Sequence, residues 1–169
     1  MTERSARDPI VSLQPFDAVA DLPLLAAWLG QPHVARWWLE REAQLEEAQN
    51  RPPGSGHVLI AVDGEPVGYM RWQRSDASAL TSLGLPAGAV DMDILIGDPS
   101  RTLRGLGRRA VRRLRERLLA DASIPLLGMV TAVDNLIAIR SFRAAGFEPY
   151  REYDDARYGR CLVMLSKSI

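Results

Sequence analysis

The chain has 169 residues and 47% hydrophobic content, enough apolar material for a core, and a single domain over residues 1–169 is expected. Its 21 basic and 21 acidic residues cancel, which excludes any global charge argument for nucleic acid or a membrane surface. One cysteine, Cys161, excludes an internal disulfide framework. Residues 1–8 are polar, without an apolar signal stretch, and no apolar run reaches the ~20 residues of a membrane span, so a cytoplasmic protein with a flexible N-terminus is expected.

Ile10 to Leu13 reads as a first strand. Asp21 is placed to cap a helix with Pro23 in its first turn, Leu24, Leu25, Trp28 and Leu29 at helical spacing, and Gly30 at its C′ position. A second helical stretch starts near Pro32 and carries Trp37 and Trp38, and Glu40 to Asn50 reads as a weaker helix. His57 to Val62 and Val67 to Gln73 are strands joined by Asp63-Gly64-Glu65-Pro66, a hairpin signal because Asp-Gly suits a tight turn with positive φ. Ser75 to Gly88 reads as a loop. Val90 to Ile96 alternates, with Asp91 and Asp93 on one face and Met92, Ile94 and Ile96 on the other. Leu106, Ala110, Val111, Leu114 and Leu118 form an apolar helical stripe. A strand at Leu126 to Thr131 follows, then a helix from Asn135 to Ala145, capped by Asp134 or Asn135 and ended by Gly146. Phe147 to Tyr153 and Arg160 to Leu165 form a closing hairpin. The order of elements indicates an α/β sheet with helices on its faces.

Charge is balanced overall but not locally. Between Arg101 and Arg117 there are eight arginines against one acid, Glu116. Within that basic stretch, Leu103-Arg104-Gly105-Leu106-Gly107-Arg108 opens the arginine-rich helix. Glycines allow close backbone approach, first-turn N–H groups are free, and the helix dipole favours an anion. Arg104, Arg108 and Arg109 add full positive charge, and a pyrophosphate suits this chemistry. The loop lacks the Gly-Lys-Ser/Thr of a Walker motif and the third glycine of a Rossmann fingerprint.

Arg104-Gly105-Leu106-Gly107-Arg108 resembles the central motif of the GNAT N-acetyltransferase superfamily. The helix Asn135-Leu136-Ile137-Ala138-Ile139-Arg140-Ser141-Phe142-Arg143-Ala144-Ala145-Gly146-Phe147 is similar to that superfamily's second motif. Asp21-Leu22-Pro23-Leu24, Trp28-Leu29, Pro32-His33-Val34, Trp37-Trp38 and Gly64-Glu65-Pro66-Val67-Gly68-Tyr69 resemble the aminoglycoside 6′-N-acetyltransferases and their siderophore-acyltransferase relatives. The resemblance implies a GNAT fold: a mixed, mostly antiparallel six- to seven-stranded sheet, splayed at a cofactor wedge and flanked by about four helices. It implies acetyl-CoA as acyl donor, its pyrophosphate on Leu103 to Arg108 with Arg101 nearby. Its pantetheine arm would lie along Ile94, Leu95 and Ile96 and beside Asn135, Ala138, Arg140 and Phe142. Gly97 and Pro99 would open the wedge. No metal is implied.

Acetyl transfer requires a neutral amine, whereas an amine of pKa ~8 is largely protonated at neutral pH, so a carboxylate that binds the ammonium and takes its proton is required. Asp93, twelve residues before Gly105, matches the aspartate that serves as base in the 6′-acetyltransferases. Asp91 shares its face, and Asp91, Asp134 and Trp37 join Asp93 as expected acceptor contacts, with Trp38 then in the core. Two departures stand out. Phe142 replaces a proton-donating tyrosine, and Val130 replaces an aspartate that contacts aminoglycoside in relatives; Asp91, Asp134, Glu40, Glu42, Asp154 and Asp155 are the acids available to compensate. The expected function is acetylation of an aminoglycoside 6′-amine within a ternary complex by a monomer or homodimer. The alternatives are acetylation of a siderophore hydroxylysine or protein N-terminus, and a non-catalytic CoA-binding protein. A cationic cleft favours the siderophore and an acidic one the aminoglycoside. Neither a nucleic-acid nor a membrane partner is expected.

Overall fold

The computed structural model describes residues 7–74 and 84–168. The first six residues of the expected flexible terminus, and the expected Ser75–Gly88 loop up to residue 83, lie outside them. Seven strands form one sheet: β1 (Val11–Pro15), β2 (Ser55–Val62), β3 (Glu65–Arg74), β4 (Ala89–Ile96), β5 (Leu126–Ala132), β6 (Glu148–Asp155) and β7 (Gly159–Lys167), in the order β1-β2-β3-β4-β5-β7-β6. Among the described residues five α-helices flank it: α1 (Leu22–Leu29), α2 (Pro32–Ala35), α3 (Arg41–Gln49), α4 (Leu106–Leu119) and α5 (Leu136–Ala144). No helix among the described residues is long and apolar enough to cross a membrane.

Each face of the sheet is covered for a reason visible in its side chains. Leu106, Ala110, Val111, Leu114 and Leu118, the predicted stripe of α4, are all buried, and they pack with Phe142 of α5 against Ile60, Met70 and Met92. On the opposite face Leu25, Trp28, Leu29 and Val34 pack with Phe16 over the cross-strand row Leu59, Tyr69 and Leu95. The β2–β3 turn holds Asp63 at φ 50° and Gly64 at φ 88°, the left-handed pair that a two-residue hairpin requires. Asn135, rather than Asp134, caps α5: its side chain accepts from the Ala138 N–H at 3.3 Å and donates to Thr131 Oγ1 at 3.1 Å.

Three expectations are corrected. Asp21 does not cap α1 with its side chain, which accepts instead from the Asp17 N–H at 2.8 Å. Gly30 sits at φ −82°, in ordinary right-handed space. Trp37 and Trp38 lie in the turn after α2, which is only four residues long.

All neighbouring strands are antiparallel except β4 and β5, which run parallel and pair only through Ala89–Asp91 and Leu126–Gly128. Beyond that point β4 continues against β3 as far as Ile96 and β5 against β7 as far as Ala132, so the sheet splits between them. The split therefore begins at Met92, not at Gly97 and Pro99. Gly97 instead makes room for an indole. Trp28 lies on it, and a Cβ there would stand 1.9 Å from Trp28 Cγ.

Gly97→Ala must push Trp28 out of its seat, an overpacking cost of about 2 kcal/mol. Calorimetry is expected to show a Tm lower by about 4–8 °C. An unchanged Tm would remove Trp28 from this contact.

Candidate active site

The anion-binding loop closes one side of the split. Gly105, at φ 71°, precedes the first turn of α4, and Leu103 is also left-handed at φ 60°. Among the described residues, the backbone N–H groups of Leu103 to Arg108 have no hydrogen-bond acceptor, so a row of donors and the positive end of α4 share one location. Gly107 leaves this row open: a Cβ there would meet only Ser141 Oγ at 3.5 Å and Ile94 Cδ1 at 4.0 Å. The arginines differ in where they point. Arg104 Nε donates to the Ser100 carbonyl at 3.0 Å, Arg101 lies 3.9 Å from Asp98, and the Arg108 guanidinium folds back over Gly105. Arg109 is turned away, donating to the Pro9 carbonyl at 2.7 Å, so its charge is not offered to the loop as expected.

Of the other expected cofactor contacts, Arg140 is exposed and Ala138 half-buried against the core. Leu106 and Phe142 bury their side chains in the core, which leaves Leu106 its backbone N–H and keeps the Phe142 ring at 5% exposure. Leu95 points its side chain into the core under α1–α3.

The exposed edge of β4 forms the other side. Trp38 Nε1 donates to the Ile94 carbonyl at 3.2 Å, and His33 Nε2 donates to the Ile96 carbonyl at 2.8 Å. Those carbonyls therefore point away from β3. Because a residue's N–H and C=O share a side in an antiparallel ladder, the N–H groups of Ile94 and Ile96 also face the split. His33 thus fastens α2 to the end of β4.

Register places the charged groups. On the α1–α3 face the row beside Leu59–Tyr69–Leu95 is His57–Arg71–Asp93. Arg71 Nε donates to Asp93 Oδ2 at 2.8 Å, and Arg71 Nη1 donates to Gln44 Oε1 and Glu47 Oε2, each at 2.8 Å. The Trp38 ring covers the guanidinium at 4.8 Å. Burial opposes the charge on Arg71, but Asp93 and Glu47 hold its pKa above the usual arginine range. His57 Nδ1 lies 3.1 Å from the Tyr69 hydroxyl; burial, with the charges of Arg51 and Arg71, pushes its pKa down to about 4, so the ring is neutral at physiological pH. Burial pushes the Tyr69 hydroxyl up to about 12.

Sequence reasoning missed Arg71, whose only signal was a cation between Met70 and Trp72 in a stretch otherwise without charge from Val67 to Gln73. Of the two indoles, Trp38 packs against the α1–α3 core as expected and also lies at the charged row, whereas Trp37 is half-buried outside that cluster with Arg36 stacked on it at 4.8 Å. Tyr158, at the tip of the β6–β7 hairpin, was missed as well. It is half-buried, and burial raises the pKa of its hydroxyl, while Arg157 beside it pairs with Glu40 at 3.0 Å.

The remaining acids are less free than their number suggests. Asp91 Oδ1 is buried without a partner, and burial, then the charge of Asp93, raises its pKa well above the usual carboxylate range. Val130 is half-buried and packs against the cluster of Leu85, Ala89 and Val163. Asp154 pairs with Arg160, Glu42 lies 3.9 Å from Arg41, and Asp155 accepts the N–H groups of Arg157 and Tyr158. Asp134 is exposed.

A strand edge and a helix start that face each other across a split sheet are the architecture of the GNAT acetyltransferases, and residues 17–155 match the Acetyltransferase (GNAT) domain model. The chain belongs to that family. It is 30% identical over 146 residues to aminoglycoside N(6′)-acetyltransferase type 1 of Klebsiella pneumoniae and to the enzyme of that name from Serratia marcescens, covering 76% of this chain and 69% of each relative. Its fold matches a solved structure of AAC(6′)-Ib in complex with paromomycin and acetyl-CoA, with TM-score 0.77, 24% identity and 93% of each chain covered.

The raised pKa of Asp91 has a signed consequence for stability. The folded state holds this proton more tightly than the unfolded chain, so stability is greatest below the ordinary aspartate value near 4 and falls as pH rises through the folded-state value. Asp91→Asn removes that fall. Denaturant titrations are expected to show the variant gaining on wild type between pH 4.5 and pH 8; an equal difference at both would place the carboxylate in water.

Proposed function

We propose that the protein is an acetyl-CoA-dependent N-acetyltransferase that modifies the 6′-amine of an aminoglycoside by direct transfer, with Asp93 as the base. The observation that carries this reading is Asp93 itself. It stands on the strand whose edge borders the split, at 32% side-chain exposure, with Oδ2 bound to Arg71 and Oδ1 without a partner among the described residues. The relatives at 30% identity are named for this activity, and the AAC(6′)-Ib structure pairs an aminoglycoside with the acyl donor.

The residues present fit acetyl-CoA, since the open N–H row at Leu103 to Arg108 and the space over Gly107 suit a diphosphate. When bound, acetyl-CoA supplies an acyl group activated as a thioester. Arg104 and Arg108 balance the diphosphate charge, and the backbone of Ile94 and Ile96 orients the arm as an added strand would be oriented. Asp93 Oδ1 accepts a hydrogen bond from the acceptor ammonium and takes its proton, leaving the nitrogen lone pair free to attack. Phe142 offers no proton to a departing thiolate, and a thiol of pKa ~8.5 needs none. Asp134, exposed beyond β5, meets the acceptor's outer amines. A lone, buried Cys161 suits a reducing compartment, and we place the reaction in the cytoplasm.

Release of free CoA thiol tests the reading. Kanamycin and tobramycin are expected to be turned over and peptide N-termini not; the reverse pattern overturns the substrate. Asp93→Asn is expected to lower kcat by about 100-fold or more with the acetyl-CoA KM little changed, as loss of a general base requires. Near-wild-type turnover would dismiss Asp93 as base.

Gly107→Val separates the donor site from the fold. The protein accommodates a Cβ at this position, so Tm is expected to stay within a few degrees, whereas acetyl-CoA affinity falls about tenfold or more because the side chain fills the approach to the N–H row. Unaltered affinity would remove Gly107 from the donor site.

A further inference from the structure

The negative charge around Asp93 is partly offset. Asp93 and Glu47 share one cation, Arg71, and a second, Arg51, is half-buried and donates to the Trp72 carbonyl. Asp91, the other carboxyl on this face, has its Oδ1 buried without a partner among the described residues, and burial raises its pKa. Across the mouth, Arg157 neutralises Glu40. Arg71 therefore sets how much of the carboxylate charge on this face is left for a cationic acceptor. Arg71 cannot swing away to change this. Three side-chain acceptors at 2.8 Å and the Trp38 ring at 4.8 Å fix its guanidinium, and it is only 14% exposed.

We propose that Arg71 is a specificity-determining residue that limits the acceptor's positive charge near Asp93, so that the site takes one ammonium on Asp93 Oδ1 and repels further amines close to it. This deepens, and rests on, the acceptor reading given above. Asp93 offers one free oxygen because Arg71 holds the other, so one amine is oriented. A second ammonium within about 7 Å of the guanidinium meets like-charge repulsion that, at an effective dielectric of about 20 and screened by physiological salt over a Debye length of about 8 Å, is worth roughly a tenfold change in affinity. Amines on the outer rings, beyond that range, are tolerated.

Calorimetric affinities with CoA present, for 6-amino-6-deoxyglucose (one amine) and for kanamycin and neomycin (several), decide between the outcomes. Arg71→Gln is expected to tighten the polyamines relative to the monoamine by about tenfold, and Arg71→Lys to keep the wild-type ratio. Glu47 lies on the exposed face of α3, and Glu47→Gln leaves Arg71 in place; it is expected to move the ratio a few-fold the other way. A lost contact without a charge effect would weaken all three ligands alike, and an unchanged ratio across the variants overturns the proposal. If wild type binds CoA but no aminoglycoside, polyamine binding gained by Arg71→Gln supports the role of Arg71 while the aminoglycoside reading fails. No gain overturns both.

Discussion

A buried backbone N–H or C=O without a partner costs about 1–3 kcal/mol, so strands that begin to pair and then part need other partners for the groups they release. β4 and β5 part after Asp91 and Gly128, and the rest of the molecule is arranged around that parting. On β4 the released carbonyls of Ile94 and Ile96 are taken by Trp38 and His33, side chains from the α1–α3 segment. The N-terminal helices therefore finish the strand as well as covering the sheet. What remains open is a set of donors, the N–H groups of Ile94 and Ile96 on one side and of Leu103 to Arg108 on the other. A ligand with acceptors along its length and charge at one end meets both sets, and the split supplies the space between them.

The charged row depends on the same strand. Burying a guanidinium is costly unless every face is occupied, and removing one partner of such a group costs more than the pair contributes. Arg71 satisfies that condition through Asp93, Glu47, Gln44 and the face of Trp38. The result is rigidity rather than much stability. A carboxylate with one oxygen fastened presents the other in a defined direction, which a base needs more than it needs freedom. Trp38 serves both halves of this arrangement, its N–H on Ile94 and its ring on Arg71, so the strand edge and the cation that holds Asp93, the proposed base, are set by one side chain.

The parts of the site legible in the sequence are those whose geometry is local. Gly105 and Gly107 lie a few residues from the N–H groups they serve, the α4 stripe repeats at helical period, and Asn135 caps a helix three residues away. Asp93 was legible as an alternating strand acid. Arg71 was not, because its meaning depends on a register that pairs it with Asp93 across 22 residues of chain, and alternation alone does not set which rung faces which. The second role of Trp38, beyond its expected place in the core, was hidden for a related reason. Adjacent residues on a helix diverge by a known angle, but α2 ends at Ala35, and the turn that follows carries the Trp38 N–H to β4. Val130 shows the limit of matching by position, since it occupies an acid's place in relatives and serves a small apolar cluster here.

The two halves of the split sheet are joined unequally, and the inequality bears on how a ligand enters. At the floor, Leu127 and Met129 on one side and Val90 and Met92 on the other are buried under α4, where displacing any of them would leave a cavity. At the rim, the contact is Arg157 with Glu40, both about half exposed, an ion pair worth ~0–1 kcal/mol. Tyr158, the next residue along the hairpin, is half-buried. Parting the rim therefore costs little, while Asp93 stays fastened to Arg71 on the strand whose partner was withdrawn.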